Sequence, residues 1–202
     1  CYIDPKAQSQ EGRQLLKRFT RTIVFLKPEW SVIYDQLAAN MPVTYQYWLH
    51  SPEKMELKNN ELIARVGKVE CPVQFLVPQS LKMTQTNEYD PNPRPRINVR
   101  EWHVKAEIVE PASSTEFLVV YHPHRPETRS KSEVKLESSS RGYVLSLNFA
   151  SGGATVLLPK TDSDRITAGD LSTEGRVLVS LRDARGKEVR QVAVKGLAAP
   201  TP

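Results

Sequence analysis

The chain has 202 residues, of which 25% are charged, with 15 prolines and 9 glycines; it is long enough to bury a core, and its composition favours a folded, loop-rich β protein over a disordered chain. A net charge of +5 suits an acidic partner such as a polyanion, and no apolar run reaches the roughly 18 residues that a membrane-spanning helix needs. Two cysteines, Cys1 and Cys71, are too few for a disulfide scaffold and lack metal-site spacing.

The chain starts at Cys1 without an initiator Met, as a processed chain or a fragment would; a lipidated terminal cysteine is the alternative reading. "EGRQLLKRFT" reads as a short helix or an ordered lead-in over residues 1–20. From Arg21 onward almost every segment is β in character.

"RTIVFLKPEWSVIYDQL" reads as two strands hinged at Pro28. Period-2 alternation in the second puts Ser31, Ile33, Asp35 and Leu37 on one face, so an acid shares a face with aliphatic residues. "VTYQYWLHS" alternates in the same way, and in "MELKNNELIARVG" the Asn59-Asn60 pair between two short runs is a hairpin signal. "VECPVQFLV" places Cys71 among alternating Val69, Val73, Phe75 and Val77, as a small buried hydrophobe. "INVREWHVKAEIV", "TEFLVVYH", "GYVLSLNFA", "ATVLLP", "RVLVSLRD" and "EVRQVAVKG" follow at short spacing, the last two joined by the turn "DARGKE".

Roughly a dozen strands without intervening amphipathic helices predict an all-β fold, an antiparallel β-sandwich spanning 21–202. The polar run after His124 offers a seam near 127–132. Alternation places Ile23, Phe25, Trp102, Val104, Ile108, Leu145 and Leu147 in the core, and turns His103 outward, opposite the Trp102 and Val104 face.

Common catalytic signatures are missing: there is no Gly-rich phosphate loop, no helix-borne His-Glu-x-x-His, no paired Cys motif and no Gly-x-Ser-x-Gly. The order of the strands is more informative. "RTIVFLKPEWSVIYDQL", then "YQYWLHSPE", then "TNEYDPNPRPRINVREWHVKAEIVEPASSTEFLVVYHPHRP" resembles the C-terminal β-sandwich region of heparinase II/III-like polysaccharide lyases, over residues 18 to 126. No single motif among these is specific; their order carries the likeness.

The resemblance implies a parent protein whose N-terminal α/α toroid supplies most catalytic residues and cleaves uronate-containing polysaccharide by β-elimination. This chain would then be a noncatalytic portion, periplasmic or extracellular, with acidic polysaccharide and the helical toroid as partners and with no nucleic acid and no membrane span. A free-standing polysaccharide-binding module and a structural interaction domain of a secreted protein are the alternatives. The resemblance also implies zinc, with Asp35 and His50 at positions matching a family carboxylate and imidazole; the upstream family histidine has no counterpart, since no His precedes His50. The other reading of Asp35 is a carboxylate that ends its strand and accepts hydrogen bonds from backbone N–H groups or Arg21.

Candidate substrate contacts are Arg94, Arg96 and Arg100, whose guanidinium forks suit uronate or sulfate, together with His122, His124 and Arg125 after an apolar strand. Against these stand a charged edge that discourages strand addition and ordinary residues at a sandwich rim. Trp30, Trp48 and Trp102 could stack on sugars, or pack in the core.

Overall fold

A computed structural model of the chain describes residues 15–89, 101–128, 133–173 and 175–195. They fall into two compact units, Cys1–Thr128 and Arg129–Pro202, and the division lies within the 127–132 segment.

The first unit holds β1 (Leu16–Leu26), β2 (Trp30–Val43), β3 (Gln46–Ser51), β4 (Glu56–Lys58), β5 (Glu61–Val66), β6 (Val69–Val77), β7 (Leu81–Thr86), β8 (Trp102–Ile108) and β9 (Ala112–Tyr121). They form a six-stranded sheet in the order β1-β2-β9-β6-β5-β4 and a three-stranded sheet in the order β3-β8-β7. Every pairing is antiparallel. Among the described residues the only helical element is the 3-10 turn Pro126–Thr128. Within "EGRQLLKRFT", residues from Leu16 on are strand and not helix, because Phe19 and Thr20 pair with Leu37 and Gln36 of β2; residues 11–14 lie outside the described residues.

The two sheets are layers of a sandwich because both deliver side chains to one core. The six-stranded sheet contributes Leu62, Val73, Phe75, Phe117 and Val119, and the three-stranded sheet Tyr47, Val104, Ala106 and Ile108. Tyr47 meets the Phe75 ring edge-on at 5.4 Å, a favoured aromatic geometry. The Asn59-Asn60 turn joins Lys58 and Glu61, which pair directly, and Asn59 takes the left-handed φ of 53° that asparagine tolerates better than most residues.

Two expected core residues are not in the core. Ile23 is 63% and Phe25 57% exposed, whereas their neighbours Val24 and Leu26 are buried. Ile23 and Phe25 sit opposite Ile33 and Ser31; that part of the face borders an open apolar depression lined by Ile23, Ser31, Ile33, Cys71, Tyr121 and Pro123. Alternation tells which residues share a face, and cannot tell which face is covered. Val104, Ile108, Leu145 and Leu147 are buried as expected, and Trp102 partly so.

The second unit holds β10 (Glu133–Ser139), β11 (Gly142–Phe149), β12 (Gly152–Pro159), β13 (Thr167–Ala168), β14 (Leu171–Ser172), β15 (Val177–Asp183) and β16 (Glu188–Val194). Its five-stranded sheet runs β10-β11-β12-β15-β16, and β13 and β14 pair as a small hairpin. Leu157 and Leu178 pack with Ile166, and Ala168 and Leu171 of the small hairpin lie against them. Gly152 has a φ of 146°, and a Cβ there would stand 2.0 Å from the Arg182 carbonyl oxygen, so the close approach of β12 and β15 requires glycine.

Candidate functional site

Asp35 is held by Arg21. These residues face each other across β1 and β2. The guanidinium donates from Nε to Oδ1 at 2.7 Å and from Nη2 to Oδ2 at 2.6 Å, a bidentate fork. Asp35 is buried. The guanidinium also lies 5.6 Å from the centroids of the Phe19 and Tyr47 rings, whose faces favour a cation. The Asp35 carboxylate raises the Arg21 pKa through its hydrogen bonds, against the opposing effect of burial.

His50 lies in the other sheet, on β3, with its Nδ1 3.4 Å from Glu101 Oε1. The structure therefore gives Asp35 and His50 different partners in different sheets and does not bring them together. As arranged, this pair does not fit zinc: both Asp35 oxygens are occupied, and a dication bound there would sit beside the Arg21 guanidinium. Among the described residues, no group of three or more His, Cys, Asp or Glu side chains could hold a metal.

His122 and His124 continue β9 alongside β6, fixed by backbone hydrogen bonds: His122 N–H donates to Pro72 O at 3.0 Å, and His124 N–H to Glu70 O at 2.8 Å. Both imidazoles are buried, unlike residues of an exposed rim. His122 stacks flat on Trp30, with ring centroids 3.9 Å apart and planes 6° from parallel. His124 Nδ1 donates to His122 O at 2.9 Å, so in the neutral ring Nε2 carries the lone pair. That Nε2 is buried without a partner among the described residues. Of the three expected contacts here, only Arg125 is exposed. Arg94, Arg96 and Arg100 lie outside the described residues.

The most developed polar and aromatic group stands on the solvent-facing side of the three-stranded sheet. Alternation sends Tyr47 and Leu49 of β3 inward and Gln46, Trp48 and His50 outward. The register sets these opposite Glu107, Lys105 and His103 of β8, and β7 brings Thr84 and Thr86 beside Lys105 and His103. Trp48 is 47% exposed. Its Nε1 donates to Gln46 Oε1 at 3.1 Å, Gln46 Nε2 donates to Glu107 Oε2 at 2.6 Å, and Lys105 Nζ lies 3.2 Å from the same carboxylate. The Gln46 amide, with help from Lys105, lowers the Glu107 pKa.

His103 faces outward, as alternation predicts, yet is only 6% exposed. Neighbouring rings cover it: Tyr89 at 4.8 Å, Trp48 at 5.6 Å and His50 at 5.9 Å between centroids. Its Nδ1 is buried with no partner among the described residues, which leaves Nε2 as the nitrogen that can meet a ligand. Burial lowers the His103 pKa, His50 lowers it further, and Glu101 acts in the opposite direction. Tyr89 Oη donates to Glu101 Oε2 at 3.0 Å, and burial together with that carboxylate raises the tyrosine pKa.

A metal is a poor match for the His50 and His103 pair. Ligation through His103 Nε2 would place the N–H on the buried Nδ1, without the acceptor that a metal-bound imidazole normally finds. Toward a hydroxyl group, by contrast, the His103 Nε2 can either donate or accept, because a hydroxyl does both. The sequence marks the outward trio Gln46, Trp48 and His50 by alternation alone. His103 joins it only through the β3–β8 register, and Tyr89, beyond β7, and Glu101 only through tertiary contacts, none of which "YQYWLHS" and "REWHVKAEIV" announce.

No protein-family model and no curated protein matches the chain.

Proposed function

We propose that the chain is the noncatalytic β-sandwich portion of a heparinase II/III-like polysaccharide lyase, exported to the periplasm or beyond. In this role it binds acidic polysaccharide beside an active site carried mainly by an α/α toroid of the parent protein. The observation that carries this reading is the correspondence between resemblance and folding unit: the similar stretch runs from residue 18 to 126, and the first compact unit ends at Thr128. Within it, the arginine-led strand pairs with the Asp35 strand, and the "YQYWLHS" strand with the Trp102 strand.

A polysaccharide-binding module that works apart from any toroid is the second reading, and the exposed Trp48 favours it. On either reading this chain supplies binding and no chemistry. The purified chain, applied to immobilised heparin, heparan sulfate and alginate, is expected to be retained in a salt-sensitive way, while the absorbance of unsaturated uronates stays at blank. Sustained product formation overturns the noncatalytic assignment. Absence of retention on all three polymers overturns the acidic-polysaccharide assignment.

A further inference from the structure

We infer that the solvent-facing side of the three-stranded sheet is a saccharide-binding platform, on which Trp48 stacks against a pyranose ring while His50, His103 and Glu101 meet its hydroxyl groups. The inference deepens the reading above and rests on it for the acidic character of the polymer, but not for the presence of a sugar site.

The indole is fixed before any ligand arrives. Its N–H is spent on Gln46, whose own amide is anchored to Glu107, and Lys105 closes that chain from the paired strand. An exposed aromatic ring held in one orientation loses little conformational freedom on binding. With the N–H engaged, the ring presents its apolar face, the surface complementary to the C–H face of a pyranose.

The polar groups beside it match the remainder of such a ligand. His103 is covered on its flanks by Trp48, His50 and Tyr89, and its Nδ1 is sealed from solvent. That leaves Nε2 to meet a sugar hydroxyl, which can accept from it or donate to it. Glu101 accepts a hydrogen bond from the Tyr89 hydroxyl, stands 3.4 Å from His50 Nδ1, and retains acceptor capacity for a sugar hydroxyl.

Calorimetry and tryptophan fluorescence on the purified full chain test this, with heparin and alginate oligosaccharides as acidic probes and gluco- and manno-oligosaccharides as neutral ones. Trp48→Ala is expected to weaken binding at least about tenfold. Trp48→Tyr, which keeps a ring, should recover most of it, and Met41→Ala, at an exposed position of β2, should leave it unchanged. Circular dichroism of each variant checks folding. Equal binding by Trp48→Ala and the parent overturns the platform and leaves the proposed function standing. Trp48-dependent binding of the neutral probes alone supports the platform and overturns the acidic-polymer reading. If no probe of either set binds the parent chain, both are overturned.

Discussion

Arg21 and Asp35 face each other across β1 and β2, with both carboxylate oxygens bound by one guanidinium at 2.7 and 2.6 Å. The acid is thus accommodated on an otherwise apolar face by a neighbour on the edge strand. The carboxylate side chain is 3% exposed and the guanidinium 42%, so removing the arginine strands a buried charge. Arg21→Ala is expected to cost about 3 kcal/mol, the low end for breaking a buried pair because the guanidinium is partly solvated. Asp35→Asn, which keeps shape and one acceptor, should cost about 1–2 kcal/mol. All three tryptophans lie in the first unit, so urea unfolding followed by their fluorescence reports this unit alone. A cost within about 0.5 kcal/mol for Arg21→Ala would show that the pair contributes nothing beyond a surface contact.

The same pairing predicts the response to metal. Because the Arg21 guanidinium neutralises Asp35 and His50 belongs to the other sheet, added zinc should leave the melting temperature unchanged, and so should a chelator. A zinc-dependent rise that both Asp35→Asn and His50→Ala abolish would restore a shared zinc site.

Core placement gives a test with one substitution at two positions. Ile108 is 7% exposed at the sandwich core and Ile23 is 63% exposed on β1. Ile108→Ala should cost roughly 2–5 kcal/mol, and Ile23→Ala no more than about 0.5 kcal/mol. Comparable costs at the two sites in urea titrations would contradict the assignment of faces.

The sequence made the all-β class, the Asn59-Asn60 hairpin and the inward residues of β8 and β11 legible, because alternation and turn chemistry are local signals. It separated the two faces of β1 correctly but chose the wrong one as buried, since Ile23 and Phe25 are as apolar as Val24 and Leu26. Cover depends on where the second layer ends, and that is a tertiary fact. The burial of His103 is not legible in the sequence for a related reason. Its outward parity was legible, but the rings that cover it come from β3 and from Tyr89, 14 positions earlier in the chain. Asp35 was legible as anomalous, and its two readings stayed open until the β1–β2 register set Arg21 opposite it.

The covered imidazole of His103 makes stability depend on pH in a definite direction. The titratable groups around it are His50 from β3, Glu101 just before β8 and Tyr89, and burial is the strongest influence. Burial and the nearby His50 lower its pKa from the ordinary 6.5, with Glu101 opposing them. As pH falls, the unfolded chain therefore takes up the His103 proton before the folded chain does, which favours unfolding. The stability that depends on a neutral His103 is fully present above about pH 6.5 and is lost as pH falls through the lower folded-state pKa. His122 and His124 are also buried, so the informative quantity is the difference between the parent and His103→Gln, which cannot take up this proton. Urea midpoints from tryptophan fluorescence between about pH 8 and about pH 5 should show the parent losing more stability on acidification than His103→Gln. Parallel pH profiles for the two proteins would show that His103 titrates alike in the folded and unfolded chains, and would remove the sealed, neutral imidazole assigned to it in the platform.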